Sequence, residues 1–349
     1  MEAFERGAVA LVEVEQLRKD GASPDRVELL CATGTHRTAT AAEMEELVGS
    51  EIFGRYRIVD HRADDGGHVA VGSVDGQTVR LDARYVAADV RICTGFVEPH
   101  FFAGFSGGPK GVCPGLADTA TILEAHHPSR IADPRATWLV TEGNPVHDFV
   151  RAAVALEPPT LSLDVAINRH RQLTAVFAGP LPDGHQAACD FVGRNALAPV
   201  DGRFDVVVST NGGHPLDRNL YQAVKGMSAA ERVVADGGTI VMAAPCGDGV
   251  PAGSPFARLL DAATSRRALV EETAPGEVDR WQVQVLGRVL ERARVWLYAP
   301  GLRDEEVAGA HLRPVADLGQ AIAEALADAG PAARLCVLPE GPLTVARAG

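Results

Sequence analysis

Lysine is nearly missing from this chain: of 33 basic residues only Lys19, Lys110 and Lys225 are lysines, and the rest are arginines. Arg serves wherever a positive charge is enough, so a retained lysine points to what a guanidinium cannot do, namely act as an amine nucleophile or present a compact ammonium. Lys19, at the end of a charged stretch, reads as a chance survivor. Long apolar runs are also lacking, none approaching the about 18 consecutive residues that span a bilayer. The first residues, Met1 to Glu15, carry acids early and show no basic start before an apolar core, so no secretory leader is expected. No CxxC pair occurs among Cys31, Cys93, Cys113, Cys189, Cys246 and Cys336, which favours free thiols in a reducing, cytoplasmic setting. Nor is there a basic surplus: a net charge of -13 argues against nucleic acid, whose binding needs a basic face to displace counterions. The expected partner is a small molecule, with neither nucleic acid nor membrane involved.

What is present is an ordinary globular composition, 349 residues with 46% hydrophobic and 23% charged, long enough for two compact domains. Short apolar runs alternate with segments of helical period, the pattern of an α/β protein with mainly parallel sheets. Strands are expected near Val27 to Ala32, Asp89 to Thr94, Leu161 to Ile167, Phe204 to Ser209, Thr239 to Ala243, Arg294 to Tyr298 and Leu335 to Leu338. A helix around Gly184 to Ala196 gives way to Ala198-Pro199-Val200-Asp201-Gly202, which has the turn chemistry of a linker. That places an N-terminal domain over 1–198 and a C-terminal domain over 199–349, with the active site expected in the cleft between them. The last ~20 residues are a candidate to return to the first domain.

Three polar loops follow strands directly, at the strand ends where open α/β sheets bind ligands. The first, Thr33-Gly34-Thr35-His36-Arg37, precedes a capping-box pattern from Thr40 to Glu43, so His36 falls in a tight strand-to-helix turn. Taken alone, a histidine there is more often simply solvated. The second loop runs Glu98-Pro99-His100-Phe101-Phe102-Ala103-Gly104-Phe105-Ser106-Gly107-Gly108-Pro109-Lys110-Gly111. Its glycines let the backbone approach a ligand and aim N–H groups at an anion. It is not a Walker loop, because Lys110 is followed by Gly111 and not by Ser or Thr. The plain alternative is a Gly-rich surface turn. A helix-like stretch from Thr119 then ends at His126, where a histidine is often only a favourable cation at the helix's negative pole. His36, His100 and His126 together also fit a three-histidine zinc site.

The third loop, Asn211-Gly212-Gly213-His214-Pro215-Leu216-Asp217, leads into a helix on which Tyr221 and Lys225 share a face with Gln222 beside them. A phenol and an ammonium so placed suit a carboxylate, and the scarcity of lysine counts against an idle Lys225. Trp281, in Asp279-Arg280-Trp281-Gln282-Val283-Gln284, reads by default as helix core.

Together these segments resemble the nickel-pincer lactate racemase family. The resemblance covers most of the chain: TGTHR at His36, EPHFFAGFSGGPKG at Lys110, the His126 spacing, GGHPLDRNLYQAVKG at Lys225 and DRWQVQ at Trp281. It implies racemisation or epimerisation of a small 2-hydroxy acid by hydride transfer. The implied cofactor is the pyridinium-3,5-bisthiocarboxylic acid mononucleotide nickel complex, made by dedicated synthesis enzymes and joined covalently to Lys110. His126 would complete the square-planar nickel sphere. Phe102, Ser106, Gly107 and Gly108 would contact the cofactor, and His36 and His100 would be a pair of bases, one for each hand of the substrate. Tyr221, Gln222 and Lys225 would orient the substrate, with Trp281 walling the site.

The resemblance also implies a strand-loop upstream of TGTHR bearing an Asp and an Arg near Thr-Arg-Pro. This chain is expected to open within the following helix, Val9 to Lys19; a late start, a fragment and an altered activity all account for that. Two rivals to the racemase stand beside it: a zinc-dependent hydrolase or lyase built on His36, His100 and His126, and a non-catalytic truncated homologue.

Overall fold

A computed structural model describes residues 23–349 apart from 171, 252 and 272–275. The helix expected over Val9 to Lys19 lies outside the described residues. The chain forms two compact units, one running to His126 and resuming over Arg135–Arg194, the other made of His127–Pro134 and Asn195–Gly349. Both are α/β, and most strand pairs are parallel.

In the first unit β1 (Glu28–Cys31) pairs in parallel with β2 (Arg57–Asp60). Between them α1 (Ala41–Val48) starts at the expected capping box, Thr40 accepting from the Glu43 N–H while the Glu43 carboxylate accepts from the Thr40 N–H. Its apolar side chains Met44, Leu47 and Val48 pack with Ile52 and Tyr56 against Leu29 and Ile58 of the strands. β3 (His68–Val74) and β4 (Gln77–Asp82) form an antiparallel hairpin through Asp75-Gly76, both at positive φ, the two-residue turn that suits right-twisted strands. β5 (Ile92–Phe96) lies parallel to β8 (Leu161–Ile167), which is antiparallel to β9 (Leu173–Gly179). Beyond β5 the chain makes a short ribbon of β6 (Pro99–His100) and β7 (Gly104–Phe105), then a 3-10 turn over Gly108–Gly111 that carries Lys110. The helices α2 (Thr119–Ala125), α3 (Pro145–Ala155) and α4 (Asp183–Ala196) complete this unit.

The second unit is a five-stranded parallel sheet. β11 (Phe204–Thr210), β12 (Val234–Ala243), β13 (Arg294–Tyr298), β14 (Arg313–Pro314) and β15 (Leu335–Leu338) lie in the order β14-β13-β12-β11-β15. Because side chains alternate across a strand, Val206, Val208, Val241 and Trp296 pack on one face with Ala321 and Ala325. Those two alanines belong to a helix over Leu318–Ala329. Met242 turns the other way, against Gly226 of α5 (Leu220–Glu231), which is braced in turn by α6 (Arg280–Arg292). The final strand, β16 (Val345–Ala348), lies in this unit and pairs in parallel with β10 (Leu197–Val200).

Candidate active site

In the first unit His36 stands exposed on the turn between β1 and α1, where its N–H closes onto the Thr33 carbonyl at 3.0 Å. His100 ends β6, and its Nδ1 accepts the backbone N–H of Ala103 at 3.2 Å. In the neutral ring this leaves the proton on Nε2. Phe102 lies between two histidines, edge-on to His100 with centroids 4.5 Å apart and to His126 at 5.4 Å.

His126 caps the carboxyl end of α2, as its position in the sequence suggests, but not as a helix-pole cation. Burial, assisted by the nearby charges of Lys110 and His36, pushes its pKa down to about 4 against the raising effect of its bond to Ile122. Its Nδ1 lies 2.8 Å from the Ile122 carbonyl, so Nδ1–H donates there and Nε2 keeps a lone pair. A carbonyl on the remote nitrogen is how proteins fix the tautomer of a metal-binding imidazole. The alternative zinc site of His36, His100 and His126 finds no support here: among the described residues no group of three or more His, Cys, Asp or Glu side chains is arranged to hold a metal ion.

The Lys110 loop differs from the anion cradle its glycines suggest. The Gly108 N–H is 2.8 Å from a buried Asp164 carboxylate oxygen, the Ser106 N–H donates to the Glu98 carbonyl, and the Lys110 N–H to that of Gly107. The Ser106 hydroxyl bridges Phe96 O and the Glu98 N–H, both at 2.9 Å. These groups shape the loop from within. Two buried histidines missed by sequence reasoning lie beneath it, His147 with Nδ1 3.2 Å from the Ala103 carbonyl and His185 with Nε2 2.9 Å from that of Ser106. Burial pushes the pKa of both down, His147 to about 3. Asp164 left a signal, a lone acid inside the apolar run of β8.

In the second unit the expected face of α5 is present. Asn219 caps the helix by accepting from the Gln222 N–H, and Tyr221 and Lys225 follow one turn apart. Asn211, fully buried after β11, donates to the carbonyls of Leu216 and Gln222 and so ties the glycine loop to the helix start. Trp281 is buried, and its Nε1–H donates to the Tyr221 hydroxyl at 3.1 Å. Next to it Gln282 donates to the Tyr221 carbonyl, and Phe256 packs edge-on to the Tyr221 ring with centroids 5.3 Å apart.

Residues 7–138 match the family model described as the lactate racemase N-terminal domain, and residues 201–345 match that of the lactate racemase C-terminal domain. The chain is 33% identical over 345 residues to the lactate racemase of Thermoanaerobacterium thermosaccharolyticum, covering 96% of this chain and 79% of that protein. It belongs to the lactate racemase family. A lactate racemase of Lactiplantibacillus plantarum is likewise 33% identical over 329 residues, 91% of this chain and 77% of the relative. The structure of the lactate racemase apoprotein from T. thermosaccharolyticum superposes with a TM-score of 0.92 at 31% identity, over 99% of this chain and 84% of that one. A Thermotoga maritima protein shares the fold, with a TM-score of 0.74 at 17% identity over 99% of this chain and 90% of its own. By family the chain is an isomerase, a racemase, with two α/β domains. Among the described residues no helix is long and apolar enough to cross a membrane.

Proposed function

We propose that this chain racemises or epimerises a small 2-hydroxy acid of the lactate class, using a nickel-pincer nucleotide tethered to Lys110. The observation that carries this reading is His126, a neutral imidazole whose Nδ1–H is committed to the Ile122 carbonyl, the tautomer that puts the lone pair on Nε2. Among the described residues no set of three or more candidate ligands is arranged for a metal ion, which fits a metal that arrives with donors of its own. A cofactor that brings most of its own metal donors would fit that condition, with His126 supplying the protein's ligand and Lys110 the tether.

When bound, the cofactor supplies the acceptor for the C2 hydrogen as hydride, which a 2-hydroxy acid gives up far more readily than the corresponding proton. The protein's own tasks are then few. Lys110 holds the cofactor, on a loop shaped by Ser106, Gly107 and Gly108. His36 and His100 exchange the hydroxyl proton as the substrate passes through its planar 2-keto form, and two such groups are needed because the two hands present their oxygens differently. Tyr221, Gln222 and Lys225 orient the carboxylate from α5. The domain boundary in this reading falls between 198 and 199.

Co-expression with the cofactor-synthesis enzymes, followed by intact-mass and nickel analysis, tests the tether. The expected result is one adduct on Lys110, one nickel per chain and loss of optical activity from L-lactate or a related acid. An unmodified Lys110 with stoichiometric zinc would instead support the hydrolase reading. A loaded chain that turns over no member of a hydroxy-acid panel would support the non-catalytic one.

A further inference from the structure

The mechanism leaves unused a compact set of buried polar side chains under the Lys110 loop. Asp164, on β8, spends one carboxylate oxygen on the Gly108 N–H at 2.8 Å and the other on the Ser162 hydroxyl, also at 2.8 Å. His147, on α3, faces the Ala103 carbonyl, and His185, on α4, faces that of Ser106. Their rings stack with centroids 5.8 Å apart and an interplanar angle of 16°. The Cys189 thiol lies against the His185 ring, 3.5 Å from Nε2 and 3.7 Å from Nδ1, and the Ser106 carbonyl, which can only accept, puts the proton on Nε2. Asn144 completes the row, donating to the Phe102 carbonyl at 2.9 Å.

The glycines of the loop answer to this row. Gly104, Gly107 and Gly108 all have positive φ, at 80°, 74° and 51°. A Cβ on Gly104 would overlap the Val140 carbonyl, one on Gly107 would come within 2.8 Å of Asp164, and one on Gly108 would strike the His185 ring. The backbone thus lies directly on the polar row, and side chains are excluded by the protein beneath. Inward-facing polar groups from Phe102 to Gly108 find partners on three separate elements, β8, α3 and α4.

We propose that Asp164, His147 and His185 are positioning residues for covalent attachment at Lys110, forming a shelf that holds the loop in the conformation presenting the lysine amine. This rests on the tether reading above. The shelf acts by geometry, so a variant that keeps the hydrogen bond must keep the function. Asp164→Asn retains an acceptor for Gly108, and His185→Gln retains a donor for Ser106, whereas Asp164→Ala and His185→Ala lose them.

Each variant is co-expressed with the cofactor-synthesis enzymes, and the adduct on Lys110 is read by intact mass. Backbone hydrogen exchange of the segment 96–112 is followed in the unloaded protein. The alanine variants are expected to load at least tenfold less and to exchange at least tenfold faster in that segment, with α1 and α5 unchanged. The Asn and Gln variants are expected to stay within twofold of the parent in both. If Asp164→Ala unfolds, the His185→Ala and His185→Gln pair decides. Alanine variants that load like the parent overturn the proposal, as does equal loss in the conservative variants. A parent chain that takes no adduct overturns the tether reading itself.

Discussion

The indole N–H of Trp281 donates to the hydroxyl oxygen of Tyr221 at 3.1 Å, so the residue expected to wall the site holds one of the residues expected to contact substrate. The indole thus fixes the position of the Tyr221 hydroxyl, which the proposed function assigns to the substrate carboxylate. Trp281→Phe keeps the packing and loses the donor. A neutral hydrogen bond of this kind contributes about 1 kcal/mol, so KM should rise roughly fivefold with kcat little changed. In a Tyr221→Phe background the same substitution should have no further effect. Additive losses, measured by chiral chromatography of the product, would show that the two side chains act separately.

His126 should separate nickel retention from cofactor attachment. Its lone pair at Nε2 is fixed by the Nδ1 contact with Ile122, while the tether belongs to Lys110, on a different segment. His126→Ala should therefore keep the organic adduct on Lys110 and hold nickel more weakly, by at least the roughly 10–100-fold that loss of even an outer-shell partner of a metal ligand costs. A variant that loses the adduct while keeping nickel would assign the two roles the other way round.

Much of this was legible in the sequence. Five of the expected strands run within about two residues of the observed bounds, as strongly periodic or uniformly apolar runs allow. β12 begins earlier than its apolar run, at Val234, because Ala235 to Gly238 carry no period-two signal. β3 was missed because it is largely exposed on both faces, and β9 because Leu173 and Val176 lie open to solvent. The candidate residues His36, His100, Lys110, His126, Tyr221 and Lys225 were legible as residue types that stand out in polar loops and at helix ends. What supports them was not. Asp164, His147 and His185 act through contacts 44 to 79 positions apart in the chain, and no local pattern encodes a partner at that range.

Glycine substitutions should distinguish crowding from backbone strain alone. Gly76 and Gly104 share a φ near 80°, but a Cβ on Gly76 meets nothing within 4 Å, whereas one on Gly104 overlaps the Val140 carbonyl. Gly76→Ala should cost about 1–2 kcal/mol, the penalty of the left-handed conformation. Gly104→Ala should cost roughly 3–5 kcal/mol, because a backbone carbonyl cannot rotate out of the way as a side chain can. Urea denaturation of the two variants measures the difference, and equal midpoints would mean that the loop gives way easily.

Stability should fall with acid before the carboxylates titrate, and His147 gives the sign. Its pKa is about 3 in the folded chain, lowered first by burial and then by the neighbouring His185, against about 6.5 in the unfolded chain. Between those values the unfolded state binds a proton that the folded state refuses, so the folded state is at full advantage above pH 6.5 and loses ground as pH drops. At pH 5 the loss from this one group is about 2 kcal/mol. His185, lowered for the same reason, adds to it in the same direction. His147→Asn keeps a donor for the Ala103 carbonyl and cannot titrate, so its urea midpoint should vary less between pH 7.5 and pH 5 than that of the parent. An unchanged pH slope in this variant would mean that His147 takes up its proton in the folded chain, with the Ala103 contact then made by an imidazolium.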